Sequence, residues 1–352
     1  MKIKVGEITK IKTGKLDANA ASADGEYPFF TCSKDPLKID TYSYDCECVL
    51  VAGNGDLNVK YYNGKFDAYQ RTYIIENNSN GLLYMPYLYY FLEGYIEELR
   101  KQSIGGVIKY IKIGNLTEAS IELPPIEEQK YIVHLMNISS ELIELRKKTI
   151  DKLNWLIKAR FVEMFGNVPE EERVTIAEIC KIITDGTHQP PKFTNTGIPF
   201  LFVSNIITNE ICYDAEKFIS EETYTELIKR TPIEIGDILL STVGSYGHPA
   251  IVKTDRRFCF QRHIAYLKPK SDMVNSEYLR GAILSDNVQR QIDERVKGIA
   301  QKTLNLAEIR KIRLPLPPLK LQEQFADFVK QVDKSKYDAM YVDINVLEYR
   351  CE

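Results

Sequence analysis

The sequence predicts an α+β fold in which two repeated globular units are separated by two long coiled-coil helices. Three observations support this prediction. Leu123 to Phe165 carries apolar residues at heptad spacing and, after a double proline, contains no Gly or Pro. The segment 109–125 recurs without a gap as 302–318. In each half, short apolar runs divided by Gly, Asn and Asp precede a helical segment, an order typical of α+β units.

The first long helix is predicted to begin just after Pro124-Pro125, because proline is tolerated in a first turn but not in a helix interior. Leu135, Leu142, Thr149 and Leu156 recur every seventh residue, and so does a second series that includes Ile157 and Met164. About forty residues at 1.5 Å each make a rod of about 60 Å. Such a helix is far longer than the globular average, so we expect a spacer between two bodies.

A second coiled-coil seam, a row of apolar residues at heptad spacing, is predicted after the second copy of the repeated segment. Both copies, KYIKIGNLTEASIELPP and KTLNLAEIRKIRLPLPP, end in Leu-Pro-Pro, 193 residues apart. Glu128-Gln129 follows the first copy, and Glu323-Gln324 follows the second, two residues further on. Two seams in one chain are predicted to pair with each other. The heptad residues of the second helix are Leu321, Phe325, Phe328, Val332, Ser335, Ala339, Val342 and Val346.

The repeat reaches back to the start of each half, with an offset that grows from 171 to 193 residues. Units that agree in frame and differ in loop length are predicted to share a fold but not a ligand surface. The matched residues are Thr13 with Thr184, Gln70-Arg71 with Gln261-Arg262, and Tyr87-Leu88 with Tyr278-Leu279.

These repeats divide the chain into four parts: residues 1–122, a spacer helix 123–165, residues 166–313, and a second spacer helix 314–352. Within the two units, apolar runs between turn residues predict strands, and longer segments with helical periodicity predict helices. The predicted strands are Cys48–Ala52, Thr72–Ile75, Asp237–Ser241 and Ile264–Leu267, and the predicted helices are Met85–Gln102 and Ser276–Val296.

Composition narrows the possibilities for function. The 352 residues carry a net charge of -3, so an anion-binding face has to be a local patch. Seven cysteines without a CxxC pair, and four histidines not spaced with them as metal ligands, predict reduced thiols in a cytoplasmic protein without metal or cofactor. Cys46 and Cys48 are interpreted as half-buried small apolar residues. No signal peptide or membrane-spanning apolar run is evident, so we expect no membrane association.

The two Leu-Pro-Pro connections in register, each followed by a helix with Glu-Gln, resemble the specificity subunit of type I restriction-modification systems. The resemblance covers essentially the whole chain. It implies two target-recognition domains that each read half of a bipartite DNA site, and an antiparallel coiled coil between them. It also implies partners: two adenine-N6 methyltransferase (modification) subunits that dock on the chain, and an ATP-dependent motor nuclease (restriction) subunit.

The chain departs from this pattern in its second helix, which continues for only about thirty residues past its prolines. We therefore expect weaker coiled-coil closure, weaker docking of one methyltransferase, or a need for a partner or a second copy. A 60 Å rod spans at most about eighteen base pairs of duplex. The spacer is accordingly predicted to act as a ruler, so that a change in its length alters the gap and leaves the half-sites unchanged.

DNA readers are expected in the loops that differ between the copies, where phosphate contacts position each unit and base-edge contacts specify sequence. For each candidate, the alternative is a solvated loop or a hydrogen bond that forms a turn. Arg262 is ambiguous, since the repeated Gln-Arg pair suits a fold or phosphate role in both units. The candidates are Lys34, Lys38, Asn54, Asn58, Lys60, Arg71, His188, Lys192, Asn205, Ser245, Tyr246, His248 and Arg262.

Two other features have plainer interpretations. Gly53-Asn54-Gly55 lacks the third glycine and the following helix of a dinucleotide loop, so a hairpin turn is predicted. Trp155 on the long helix is interpreted as a packing or partner-docking residue.

An enzyme and a coiled-coil adaptor without DNA contact are the alternatives. The sequence has no Walker lysine loop, no Asn-Pro-Pro-Tyr run, no glycine-rich cofactor loop and no convincing paired-acid nuclease site. An adaptor would have little reason to carry unlike loops on its two units. The sequence therefore predicts a non-catalytic DNA-specificity subunit with no catalytic residues.

Overall fold

The structure, a computed structural model, describes residues 1–298 and 302–341 and divides into two units, Met1–Glu144 and Leu145–Glu352. Both units mix strands and helices, which confirms the predicted α+β class. The division falls inside the long helix, so the predicted boundaries at 122 and 313 stay predictions. In the described part of the chain, no helix is both long and apolar enough to cross a bilayer.

A six-stranded sheet forms the centre of unit 1, and both of its faces are buried. Val49 and Val51 on one face contact the helix Met85–Gln102, while Cys48 and Leu50 on the other face join an aromatic cluster. The strands are β1 Lys2–Lys4, β2 Thr9–Thr13, β3 Tyr27–Phe30, β4 Leu37–Ile39, β5 Tyr44–Ala52, β6 Val59–Ala68, β7 Thr72–Asn77 and β8 Ser120–Glu122, with β1 and β8 paired separately. The sheet order is β2-β7-β5-β6-β3-β4, antiparallel except where β3 lies parallel to β6.

The helices of unit 1 follow the apolar periodicity. The longest of them within the unit buries Leu88, Leu92 and Leu99, which recur on one face at helical spacing. The predicted hairpin turn at Gly53 is confirmed, because β5 and β6 pair antiparallel and the amide of Ala52 donates to the carbonyl of Asn58 at 3.0 Å. The helices are α1 Val5–Ile8, α2 Met85–Gln102, α3 Ile113–Thr117 and α4 Ile126–Phe165, the last of which continues into unit 2.

Unit 2 repeats this frame with one strand divided. Its strands are β9 Val174–Thr175, β10 Cys180–Asp185, β11 Phe193–Thr194, β12 Ile198–Leu201, β13 Lys217–Ile219, β14 Ile238–Ser241, β15 Pro249–Ile251, β16 Cys259–Phe260, β17 Ile264–Pro269 and β18 Arg313–Leu314, where β18 pairs with β9. The sheet order β10-β17-β14-β15 corresponds to β2-β7-β5-β6, and the other strands form a separate sheet with the order β11-β13-β12-β16. The strand β6 of unit 1 pairs with both β5 and β3, whereas in unit 2 these two pairings belong to β15 and β16.

The single helix predicted over Ser276–Val296 is wrong. Two helices occupy this stretch, because the Ser285 hydroxyl accepts a hydrogen bond from the amide of Val288 and caps a new helix there. The hydroxyl also donates to the carbonyl of Ala282 at 2.7 Å, which ends the preceding helix. The helices of unit 2 are α5 Ile176–Ile179, α6 Glu221–Leu227, α7 Ser276–Ile283, α8 Asp286–Arg295, α9 Leu306–Arg310 and α10 Leu319–Tyr341.

Within unit 2, the end of α4 packs antiparallel against α10. The Phe161 and Phe325 rings meet edge to face at 5.5 Å, and Asn154, earlier in α4, lines the same cavity as Lys336, later in α10. Ile157 and Met164, at the end of one heptad series, pack against the core of unit 2. The other series is largely exposed in the structure, at Leu135, Leu142 and Leu156, and the predicted seam residues Val342 and Val346 lie outside the described residues.

A buried glutamine fixes the start of each long helix. The side chains of Gln129 and Gln322 are both 0% exposed, and each bonds the loop that precedes α2 or α7. The prediction that Glu323-Gln324 is the counterpart of Glu128-Gln129 is therefore wrong, since Gln324 is exposed. The true equivalent keeps the 193-residue offset of Leu-Pro-Pro.

Candidate nucleic-acid interface

The turn that ends β6 brings the first set of candidate residues together. The amide of Thr72 donates to the carbonyl of Tyr69 at 2.8 Å, which leaves the side chains of Gln70 and Arg71 exposed on the turn. The carbonyl of Arg71 accepts from the amide of Gly53 at 2.8 Å. This bond ties the turn to the β5–β6 loop, so Arg71 and Asn54 lie on neighbouring loops.

These loops line a polar concavity of about 320 Å³, here called the first-unit pocket. The Tyr73 hydroxyl donates to the carbonyl of Ile111 at 3.0 Å, and burial raises its pKa, so the phenol is a neutral donor at physiological pH. The first-unit pocket is lined by Thr13, Gly53, Gln70, Arg71, Tyr73 and Ile111.

Unit 2 has a concavity of about 250 Å³ at the same place in its frame, here called the second-unit pocket. Asp185 accepts from Arg230 Nη2 at 2.5 Å, and its other carboxylate oxygen lies 3.0 Å from His188 Nε2. Burial, and then the charge of Arg262, lowers the pKa of the His263 imidazole. The second-unit pocket is lined by Asp185, Thr242, Val243, Arg262, His263, Thr303, Leu304, Asn305 and Leu306.

Backbone hydrogen bonds establish which pocket residues correspond. The amide of Gln70 donates to the carbonyl of Leu16 at 2.9 Å, and the amide of Arg262 donates to the carbonyl of Thr187 at 3.1 Å. The carbonyls of Arg71 and His263 accept in turn from the amides of Gly53 and Thr242. Arg262 therefore occupies the position of Gln70, and His263 that of Arg71.

This register corrects the predicted match between Gln70-Arg71 and Gln261-Arg262, which is one residue out. A β-bulge between Cys180 and Ile182 shifts the first strand of unit 2 in the same sense, so the equivalent of Thr13 is Asp185 and not Thr184. The predicted match of Tyr87 with Tyr278 is confirmed, since their hydroxyls donate to the carbonyls of Glu122 and Pro315. The two pockets thus share a backbone frame and differ in side chains.

The structure groups most of the remaining unit 1 candidates beside the first-unit pocket. The Asn58 amide donates to the carbonyls of Cys32 and Asp56, each at 2.9 Å, while its oxygen accepts from Lys60. Lys60 is half-buried, and this burial lowers the pKa of its ammonium group. Lys34 is exposed in the loop that contains Cys32, whereas Lys38 is exposed on β4 and has no described contact with the group.

In unit 2, Asn205 is corrected from a surface candidate to a residue of the fold. It is 8% exposed, its oxygen accepts from the amide of Phe202, and its amide donates to the carbonyls of Cys212 and Asp214. A side chain so occupied is not free to meet a base edge. His188 and Lys192 are exposed on the polar insertion, and the former reaches the second-unit pocket through Asp185.

The loop from Ser241 to His248 is held by its own polar groups. The amide of His248 donates to Ser241 Oγ at 2.9 Å, and its Nδ1 and Nε2 lie 3.2 Å from Asn209 Oδ1 and 3.3 Å from Ser245 Oγ. The Tyr246 hydroxyl donates to Asp293 Oδ1 at 2.9 Å. These bonds fix the conformation of the loop, and Ser245 stays exposed at its tip.

Several pocket residues were not predicted from the sequence. Gly14 and Gly186 could have shown which residues correspond. A Cβ at Gly14 would lie 2.1 Å from the carbonyl oxygen of Ala68, and a Cβ at Gly186 would lie 2.1 Å from that of Phe260. Only glycine permits this approach, so aligning the two glycines gives the correct offset for the residues around them. The pocket residues missed include Thr13, Gln70 and Tyr73 in unit 1 and Asp185 and His263 in unit 2, where the neighbouring Arg230 was also missed.

Known proteins similar to this chain include specificity subunits of type I restriction enzymes. The family model for the type I restriction modification DNA specificity domain matches residues 1–154 and again residues 170–349. The EcoDI type I restriction enzyme specificity subunit of Escherichia coli is 40% identical over 156 residues, which are 44% of this chain and 34% of that protein. The MjaVIII specificity subunit of Methanocaldococcus jannaschii is 22% identical over 363 aligned residues, covering 94% of this chain and 85% of that protein.

Solved structures agree on the fold. The S subunit of a type I restriction-modification system from M. genitalium has a TM-score of 0.58 at 16% identity, with 97% of this chain and 91% of that chain covered. A structure that describes complex assembly and conformational transition of the type I R-M system has a TM-score of 0.52, with 96% and 90% covered. At this identity, the likeness confirms the predicted architecture of repeated α+β units with long helices.

Proposed function

Since the chain belongs to the family of type I restriction modification DNA specificity proteins, we propose that it is the non-catalytic subunit that selects the DNA sequence for a type I restriction-modification complex. Sequence-specific DNA recognition follows from the family. The proposal that each unit recognises its own half-site is supported by the pair of pockets, which have the same backbone frame and different side chains. Methylation and cleavage are assigned to partner subunits.

Each unit reads one half of a bipartite site through its pocket and the adjoining loops. A shared frame presents side chains to the duplex in the same way, while a change of residue at one position changes the base preferred there. Gln70 suits an adenine edge and Arg262, at the equivalent position, suits guanine. The half-sites are therefore expected to differ in sequence.

The candidate residues divide by the kind of contact they offer. Exposed cations outside the pockets, such as Lys34, Lys38 and Lys192, suit phosphate contacts that position the unit. Arg71, Arg262 and His188 lie in or beside the pockets and suit base edges. The remaining candidates stabilise or border the loops in which they lie: Asn54, Asn58, Lys60, Ser245, Tyr246 and His248.

The long helix is proposed to set the gap between half-sites and to dock two methyltransferase subunits, through which the motor nuclease joins. Its exposed apolar residues support docking, since Trp155 is 69% exposed and Leu135, Leu142 and Leu156 are exposed along the same helix. Large exposed apolar patches mark interaction sites. In this proposal, residues 1–122 and 166–313 are the two target-recognition domains, and residues 123–165 and 314–352 are the two spacer helices.

Co-expression with a type I methyltransferase subunit tests the proposal, with methylated adenines mapped across the host genome by single-molecule sequencing. The expected result is a bipartite motif with a fixed gap. Exchanging residues 1–122 for the corresponding unit of another family member should then change one half-site only. A complex that forms but leaves the genome unmethylated would favour a DNA-independent adaptor.

A further inference from the structure

A short hairpin projects from unit 1 beside the first-unit pocket. Ile104 and Tyr110 exchange both of their backbone hydrogen bonds, at 3.0 Å and 2.9 Å, and so close a loop of five residues. Gly105 makes this loop possible. Its φ is +119°, and a Cβ there would lie 2.6 Å from the carbonyl oxygen of Ile108.

The tip of this hairpin exposes apolar side chains. Val107 is 103% exposed, Ile108 is 64% exposed, and Ile104 at the base is 44% exposed. Single exposed apolar residues are ordinary, but three within five residues of one short hairpin concentrate exposed apolar surface there. Burying side chains of this size is favourable, so the tip is ready to insert into an apolar environment.

The hairpin is attached to the candidate interface. The carbonyl of Lys109 accepts from the amide of Gly55 at 3.0 Å, and Asn54 forms a bridge with Tyr110. Ile111, the next residue, lines the first-unit pocket. The side chains of Lys109 and Lys112, which follow the tip in the chain, are exposed, and their positive charge is complementary to the phosphates of a duplex.

We propose that Val107 and Ile108 form an apolar wedge that enters between two base pairs of the first half-site and kinks the duplex there. This inference rests on the proposed function. Inserting apolar side chains between base steps partly unstacks them, and the cost is offset by their burial and by the contacts that the bend permits. Pyrimidine–purine steps unstack most easily, so the wedge adds a preference for such a step.

A corresponding hairpin base exists in unit 2. Lys297 and Thr303 exchange backbone hydrogen bonds at 3.0 Å and 2.8 Å, and the amide of Gly244 donates to the carbonyl of Lys302. The sequence between them reads Ile299-Ala300-Gln301, against Gly106-Val107-Ile108 in unit 1. In the sequence, Ala300 and Gln301 thus take the places of Val107 and Ile108. Two large apolar residues at these positions belong to the first unit alone, so the proposal concerns the first half-site.

The test uses the full chain in complex with its methyltransferase, on a duplex that carries the mapped site. 2-Aminopurine replaces the bases of the first half-site one at a time, because its fluorescence rises when it unstacks. The methylated adenine is excluded, since a methyltransferase flips that base out by itself. We expect wild type to raise the signal at one step, and Val107→Ser with Ile108→Ser to abolish the rise and weaken binding by about 10-fold.

Ile235→Ser is the matched control, because Ile235 is 65% exposed in unit 2, outside both hairpins, and its replacement should change neither readout. A double variant that keeps both the signal and the affinity overturns the wedge and leaves the proposed function intact. A double variant that no longer assembles with the methyltransferase also overturns it, since the tip would then dock protein. Wild-type complex that shows no preference for the mapped duplex overturns both.

Discussion

Gln322 makes in unit 2 the three hydrogen bonds that Gln129 makes in unit 1. The oxygen of Gln129 accepts from the amide of Tyr84 at 2.9 Å, and its nitrogen donates to two carbonyls, both at 2.8 Å. The same bonds of Gln322 measure 2.8 Å, 3.1 Å and 2.7 Å. Each buried amide ties the start of a long helix to the prolines before it and to the loop that opens α2 or α7.

Replacing either glutamine by alanine should destabilise its own unit by about 2–4 kcal/mol, because two carbonyls and one amide lose their partner in a buried site. Urea unfolding of the full chain measures the effect. Gln324→Ala is the matched control, since that side chain is exposed, and should change the free energy of unfolding by less than about 0.5 kcal/mol. Equal effects of all three variants would contradict a buried role.

Two helical glycines should respond oppositely to alanine. A Cβ at Gly281 would lie 2.7 Å from the ring of Phe325 in the packed core of unit 2, so Gly281→Ala should destabilise by about 1–3 kcal/mol. Gly94 in α2 has nothing within 4 Å of such a Cβ, so Gly94→Ala should stabilise by about 0.5–1 kcal/mol. Thermal unfolding distinguishes them, and a loss in both variants would show that the space at Gly94 is not open.

Arg262→Ala should relax the second half-site at one position and leave the first unchanged, because a bidentate arginine contributes about 1–3 kcal/mol of discrimination between bases. Methylome mapping of the variant complex measures this. Arg71→Ala should act on the first half-site in the same way. Equal weakening of methylation at all sequences would instead assign either arginine to phosphate.

Asn205→Ala should leave the recognised motif intact while lowering stability by about 1–3 kcal/mol, since its partners at Phe202, Cys212 and Asp214 are left unsatisfied. Urea unfolding and methylome mapping of the same variant separate the two effects. A changed motif with unchanged stability would restore Asn205 as a reader of DNA.

The stability of unit 2 should fall at acid pH through His248. Burial lowers the pKa of this half-buried imidazole below its ordinary value of 6.5. The unfolded chain then binds more protons than the folded one, so the contribution is full above about pH 6.5 and is lost as the pH falls through the folded pKa. Urea midpoints at pH 7.5 and 5.5 should differ less for His248→Gln than for wild type, and equal differences would contradict this.

The sequence predicted most elements of the fold because their signals are local. Heptad spacing after Pro124-Pro125 predicted α4, and short apolar runs between turn residues predicted β5 and β7. The break at Ser285 was missed, since a serine within an otherwise periodic segment also occurs on exposed helix faces. Only the hydrogen bonds of its hydroxyl identify it as a cap.

The sequence by itself determined that the chain contains two copies of one unit and two long helices, because repeats and heptads are written in the order of residues. Only the tertiary structure decided which residues of the copies are equivalent. A bulge after Cys180 and a divided strand change the offset locally, so that the identical letters Gln70-Arg71 and Gln261-Arg262 do not coincide. A backbone hydrogen bond depends on the place of a residue in the fold and not on its side chain. That place determines which side chains face the ligand.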